Sequence, residues 1–131
     1  VDPRKLDDRL QYGELVLTVE INDAVTAFPM GLIGDGVVNH QVGGAPVVIF
    51  ARSDGSAEAA FSRNLNGRLL TFEFEQEGQQ FVDQETGSVW DALGRAVSGP
   101  LAGEELEQLN TRRSFWFSVA IAFPDVEIFF P

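Results

Sequence analysis

The sequence predicts a mainly β protein, α+β only at its margins, built as an antiparallel sheet or partly open barrel of about eight to ten short strands. Three observations carry this. Short Val- and Phe-rich segments recur at regular spacing, separated by Gly-Gly, Ser-Asp-Gly-Ser, Asn-Leu-Asn-Gly and Glu-Gly-Gln. In "RLLTFEFEQ", Leu70, Phe72 and Phe74 alternate with Thr71, Glu73 and Glu75, the period that gives a strand one buried and one wetted face. "ELVLTVEI" and "AVTAFPM" flank Asn22-Asp23, a pair that tolerates the left-handed backbone of a two-residue hairpin loop.

The elements follow in chain order. Asp2 before Pro3 is a helix-start signal, predicting a helical segment over about residues 3–10. The β-rich body runs from about residue 14 to 109: the hairpin, then "GVVNHQV", "APVVIFA", "AEAAFSR", "RLLTFEFEQ" and "QFVD". Phe72, Phe74, Val89 or Trp90, Val47 and Ile49 are its expected core residues. Thr111 is placed to cap a second helix over about residues 112–122, which Pro124 ends because it lacks the amide the ladder needs. A last strand, "VEIFF", follows. No linker, repeat or low-complexity tract divides the 131 residues, so a single domain over 1–131 is expected.

Charge and composition exclude several classes. Twenty Asp and Glu against nine Lys and Arg give a net charge of -11, and eight of the nine cations are Arg. No basic run is longer than the two residues of Arg112-Arg113, so neither nucleic acid nor an anionic bilayer finds the basic patch it needs. No stretch reaches the roughly 20 apolar residues of a membrane span, and no membrane insertion is expected. VDPRKLDDRL lacks the apolar core of a signal peptide. The absence of Cys removes disulfides, zinc–thiolate sites, iron–sulfur clusters and thiol nucleophiles.

Residues 83–106, "DQETGSVWDALGRAVSGPLAGEEL", combine Asp-x-x-Thr-Gly-Ser-x-Trp with Gly-Pro-Leu-x-Gly-x-x-Leu. On Asp83, Thr86, Gly87, Ser88, Trp90, Gly94, Gly99, Pro100, Leu101, Gly103 and Leu106 the chain resembles the prokaryotic family catalogued as domain of unknown function 3179. The likeness extends upstream through "AFPMGLI", "VVN" and "VGGAPVVIF" and downstream to Trp116 and Pro124. Where that family reads His-Glu-x-x-Asn-Asp, this chain has Asp35, Gly36, Val37, Val38, Asn39 and His40. Where it reads Cys-Pro-Leu-Cys, Ala51, Arg52, Ser53 and Asp54 stand, and Phe123-Pro124 stands for His-Pro. His and a C-x-x-C pair are what a transition metal or redox couple would require. Their loss implies a divergent member with no metal site and no cofactor.

Local chemistry accounts for much of the signature. In a hairpin, Asp83 accepts from amides two and three residues on, Gly87 takes positive φ, and Trp90 packs inward. The spacing of a calcium loop is absent. "GLIGDG" lacks the Lys-Ser/Thr ending of a phosphate loop and reads as a turn.

The expected function is a non-catalytic binding or structural module, extracytoplasmic or secreted, with Asn39, Asp83, Thr86, Ser88 and Trp90 as ligand-binding candidates. The alternative is a hydrolase or lyase acting on a small molecule or glycan through carboxylates and the single His. Its candidates are Asp35, His40 and Asp54, in a pocket bounded by "VVNHQV" and "ARSDGS". No Gly-x-Ser-x-Gly elbow is present for a serine nucleophile, and His40 reads as a hydrogen-bonded structural residue. The second helix is apolar nearly all round, with Ser118 its one polar residue between Phe115 and Phe123, where a surface helix shows a polar face. Either the N-terminal helix folds over it with Leu6 and Leu10, or a second copy or another protein meets Phe115, Trp116, Phe117 and Ile121.

Overall fold

The computed structural model describes residues 9–131. They form fourteen strands and two short helices in the order β1 (Leu15–Ile21), β2 (Ala24–Pro29), α1 (Met30–Ile33), β3 (Gly36–Val42), β4 (Ala45–Ala51), β5 (Glu58–Ser62), β6 (Asn64–Leu65) and β7 (Arg68–Leu69). The order continues with β8 (Phe72–Glu75), β9 (Gln80–Asp83), β10 (Val89–Trp90), β11 (Ala96–Ser98), β12 (Gln108–Leu109), β13 (Thr111–Phe115), α2 (Trp116–Ala122) and β14 (Glu127–Ile128). The strands make three four-stranded sheets, β13-β1-β2-β14, β12-β5-β4-β3 and β11-β10-β9-β8, and a β6-β7 ribbon. The fold is therefore mainly β, as its period-two segments predict, and among the described residues no sheet closes into a barrel. Fourteen strands exceed the expected eight to ten because several are two-residue pairings that carry no hydrophobic period of their own.

The layers follow from which residues alternate. Along β4, Val47, Ile49 and Ala51 join Leu17, Val19 and Phe28 in one apolar cluster, whereas Val48 and Phe50 join Phe61, Phe72, Phe81 and Trp90 in another. The central sheet is buried on both faces, which explains the unbroken apolar run "VVIFA" where a half-exposed strand would alternate. The β13-β1-β2-β14 sheet packs on one side of it and β11-β10-β9-β8 on the other. A third cluster places Trp116 and Val119 of α2 over Val16, Ala27 and Val126, on the outer face of the first sheet. Stacked Phe50 and Phe81, with ring centroids 4.3 Å apart, add about 0.5–1.5 kcal/mol beyond their burial.

The hairpin β1–β2 forms with Asn22 and Asp23 at φ 51 and 66, as the loop chemistry requires. Phe72, Trp90, Val47 and Ile49 are buried, while Phe74 and Val89 are half-buried. "RLLTFEFEQ" is not one strand: Leu70 and Thr71 interrupt it between β7 and β8.

The segment 111–115 is strand, not the start of a helix, and α2 begins only at Trp116. Each of Thr111–Phe115 pairs antiparallel with β1, Leu15 opposite Phe115 and Val19 opposite Thr111. A ladder offered by a buried neighbouring strand outweighs the weak local advantage of a Thr cap. The N-terminal helix of residues 3–10 lies mostly outside the described residues, and Arg9 and Leu10 form a bend. Among the described residues no helix is long and apolar enough to cross a membrane.

Candidate functional site

The signature turn is a closed hydrogen-bond network. Asp83 ends β9 and is fully buried. Its Oδ1 accepts from Trp90 Nε1 at 2.8 Å, and its Oδ2 accepts from both the amide and the hydroxyl of Thr86 at 2.7 Å. The Ser88 amide donates to Thr86 Oγ1 at 3.2 Å, and the Thr86 and Ser88 hydroxyls lie 2.7 Å apart. Gly87 has φ 74 and donates its amide to the Asp83 carbonyl. The Leu101 amide donates to Ser88 Oγ at 2.9 Å, so the Gly-Pro-Leu segment is held by the same knot. Gly99 lies against it, and a Cβ there would sit 2.6 Å from Ser88 Cα. Asp83, Thr86, Ser88 and Trp90, all ligand-binding candidates from the sequence, are thus bound to one another. Their polar atoms are satisfied, and Trp90 presents its ring to Phe72.

The segments carrying Asp35 and Arg52–Asp54 meet at one corner. Because β3 and β4 pair with Gly36 opposite Ala51, Asp35 enters the ladder where Arg52 and Ser53 leave it. Asp35 Oδ1 accepts from the Ser53 amide at 2.7 Å, the Ser53 hydroxyl at 3.1 Å and Arg52 Nε at 3.1 Å. The Ser53 amide, then the Arg52 guanidinium, hold the Asp35 carboxyl below its ordinary pKa. Asp54 binds the Ser56 hydroxyl at 2.6 Å and amide at 2.9 Å, and these two donors lower its pKa in the same sense. Arg52 also reaches Gln79 at 2.9 Å and lies over the Phe74 ring at 5.3 Å.

Beside this corner opens a cleft of about 340 Å³, lined by Glu14, Leu15, Arg52, Ser53, Glu58 and Arg113 together with turn glycines. Arg52, Ser53 and Gly55 of the "ARSDGS" segment line it, but no residue of "VVNHQV" does. His40 lies elsewhere, four residues further along β3 and opposite Val47, about 13 Å from the corner at the rise of a strand. There His40 Nε2 meets Glu127 Oε1 at 2.6 Å, and its ring packs edge-on against Phe28 and Phe129. Thr26 Oγ1 donates to the same carboxylate oxygen at 3.3 Å. Asp35, Asp54, Asp83 and His40 belong to four separate hydrogen-bond systems. Among the described residues no three His, Asp or Glu side chains are grouped to hold a metal ion.

Two polar residues with central places were invisible to sequence reasoning or only half read. Arg63 is buried, and donates to the carbonyls of Val47 (2.9 Å), Leu70 (3.2 Å) and His40 (3.0 Å). Burial lowers its pKa while the charge of Glu85 opposes the shift. A lone Arg at a strand end carries no sequence signal for that role. Asn39, a ligand-binding candidate, instead clasps Phe72: its Nδ2 donates to the Phe72 carbonyl at 2.8 Å and its Oδ1 accepts from the Phe72 amide at 2.9 Å.

The apolar helix resolves into two faces. Trp116, grouped with the exposed aromatics from the sequence, is fully buried, whereas Phe115, Phe117 and Ile121 are 49%, 42% and 48% exposed. Phe115 and Phe117 stack with centroids 5.9 Å apart and planes 10° from parallel. The described part of the N-terminal segment meets the other side: Arg9 lies over the Trp116 ring at 5.3 Å and donates to the Val126 carbonyl at 3.0 Å. Leu6 lies outside the described residues.

No curated protein and no solved structure matches the chain. The signature knot and the packing around it place Asp83, Thr86, Ser88, Trp90 and Leu101 together in the way their spacing implies. Over residues 1–126 the sequence matches the model of the family described as "Protein of unknown function (DUF3179)", and the chain belongs to that family.

Proposed function

We propose that this chain is a non-catalytic binding module that presents the stacked Phe115–Phe117 face to another protein. The observation that carries the reading is the half-exposure of two stacked rings and Ile121 on a helix whose other face is packed. Large apolar side chains left in water forgo roughly 1.5–3 kcal/mol each relative to burial, and such a patch is characteristic of an interaction surface. The polar candidates support the same reading from the other side. Asp35, Asp54 and Asp83 each accept two or three local donors, and none is poised toward His40. The Asp54 and Asp83 contacts frame turns, and those of Asp35 tie the start of β3 to the end of β4.

A photo-crosslinking residue at position 117, compared with one at the more exposed Leu93, tests this in cells producing the chain. A discrete adduct from position 117 and none from position 93 is the expected result. Equal, diffuse labelling from both positions would overturn the reading.

A further inference from the structure

We infer that Asn66 is a self-modification site, where an Asn-Gly step rearranges to aspartate and isoaspartate, and that the side chain of Asn64 holds the site closed in the folded chain. The inference is independent of the proposed binding face. Three steps in the sequence join an Asp or Asn to a glycine: Asp35-Gly36, Asp54-Gly55 and Asn66-Gly67. A glycine leaves its amide nitrogen unshielded by any Cβ, so that nitrogen can attack the preceding side-chain carbonyl carbon and close a succinimide ring.

The two aspartates are closed at the acyl carbon. Asp35 accepts from the Ser53 amide, the Ser53 hydroxyl and Arg52, and Asp54 accepts from the Ser56 hydroxyl and amide. These donors hold both carboxyls below their ordinary range, and an ionised carboxylate is a poor acyl acceptor. Asn66 differs. Its side chain is a neutral carboxamide on an exposed residue, and among the described residues no hydrogen bond engages it.

Here the nucleophile is held instead. Asn66 and Gly67 form the two-residue loop between β6 and β7, with φ 52 and 84 and Leu65 opposite Arg68, the left-handed pair of a type I′ turn. The Gly67 amide donates to Asn64 Oδ1 at 2.8 Å. Attack requires that amide to lose its proton and swing over Asn66 Cγ, so the bond to Asn64 must break and the peptide must leave its left-handed setting. The ribbon has only two residue pairs, so local opening is enough to release the step.

In the reaction a bond forms from Gly67 N to Asn66 Cγ, the carboxamide C–N bond breaks, and the Gly67 amide proton leaves with the nitrogen as ammonia. Solvent water then opens the ring at either carbonyl, giving aspartate or isoaspartate. Both products add one negative charge. Isoaspartate also lengthens the main chain by one methylene, so Leu65 and Arg68 lose their pairing across a two-residue loop. Leu65 is buried with Phe61 and Phe72, and just past the turn the Leu70 amide donates to the Arg63 carbonyl at 2.8 Å. The modification therefore loosens the ribbon beside the buried Arg63.

The test incubates the full chain at mildly alkaline pH, folded and in guanidinium chloride. The peptide spanning the β6–β7 turn is read by mass spectrometry with fragmentation that separates aspartate from isoaspartate. Conversion is expected at Asn66 before Asp35 or Asp54, and at least about tenfold slower in the folded chain than in the denatured one. Asn64→Ala removes the acceptor and should speed conversion in the folded chain by about two- to tenfold, the factor one neutral hydrogen bond puts on a rate. Asn64→Asp keeps an acceptor and should stay close to the unaltered chain. Asn64 is exposed, and circular dichroism confirms that both variants are folded. Equal rates in the folded and denatured unaltered chain, a comparison that needs no variant, would overturn the inference. So would an Asn64→Ala rate equal to that of the unaltered chain, an Asn64→Asp rate equal to that of Asn64→Ala, or earlier conversion at Asp35 or Asp54.

Discussion

Asp83 and Trp90 are joined by a 2.8 Å hydrogen bond from the indole to a carboxylate with no exposure to solvent. The second oxygen of that carboxylate holds the Thr86 amide and hydroxyl. Asp83→Ala strands these donors, each unpaired buried donor costing about 1–3 kcal/mol. The expected loss is several kcal/mol, read as a lower urea midpoint with near-ultraviolet circular dichroism reporting the Trp90 environment. Asp83→Asn keeps the acceptor for Trp90 but turns an amide donor toward Thr86, so it falls between the two. A variant with unchanged midpoint would show the knot to be incidental.

Gly99 and Gly103 provide a controlled pair, since both have φ 92. Substitution by Ala imposes the same left-handed backbone strain, about 1–2 kcal/mol, at either position. Only at Gly99 does the new Cβ strike the Ser88 backbone, whereas nothing lies within 4 Å at Gly103. Thermal unfolding should therefore place G99A below G103A by a further 1–3 kcal/mol or so, the usual cost of overpacking.

Acid should weaken the corner of β3 and β4. The folded pKa values of Asp35 and Asp54 lie below the ordinary 3.8 of an Asp carboxyl. A depressed carboxyl pKa contributes stability that is complete above the unfolded pKa and disappears as pH falls through the folded one. The chain should lose stability below about pH 4, and D35N should flatten that part of the profile by removing the group. Carboxyl carbon NMR of Asp35 provides the direct measurement, and a midpoint at or above 3.8 would contradict it.

Arg63→Lys removes the fork that reaches three carbonyls. An ammonium cannot span them all, and hydrogen bonds from a charged donor contribute about 1.5–3 kcal/mol each. Chemical denaturation should show a loss of at least one such bond, while circular dichroism keeps its β signature.

Phe117→Ser and Ile121→Ser should change stability by no more than about 0.5 kcal/mol, as for ordinary surface positions. Trp116→Ala should cost about 3–5 kcal/mol, because its ring is buried among Val16, Ala27 and Val119. Calorimetry on the three variants separates the packed face of α2 from the free one.

What the sequence disclosed and what it hid divide along the range of the interactions. Asn22-Asp23 and Asp83-x-x-Thr86-Gly87-Ser88 close rings within a few residues, so their chemistry was legible in the letters. The alternation of Leu70, Phe72 and Glu73 likewise reports its own burial. Thr111–Phe115 was misread because its strand state depends on β1, some ninety residues away, and nothing local announces that partner. Arg63 and the His40–Glu127 contact were hidden for the same reason: each is made by bringing distant strands together. The separation of Asp35 and Asp54 from His40 follows from the register of β3, which a sequence does not print.

Asn39 gives the seam between two sheets its own fastening. β3 and β8 are the facing margins of separate sheets, and between them the amide of one side chain imitates a peptide group, donating and accepting as a neighbouring strand would. The main-chain ladder is therefore bridged there by a rung that belongs to no main chain. Such a fastening can be cut without opening the core: Asn39→Leu or Asn39→Asp severs a junction, while the aromatic packing of Phe50, Phe72 and Phe81 on either side stays whole. The work of Asn39 is joinery rather than chemistry.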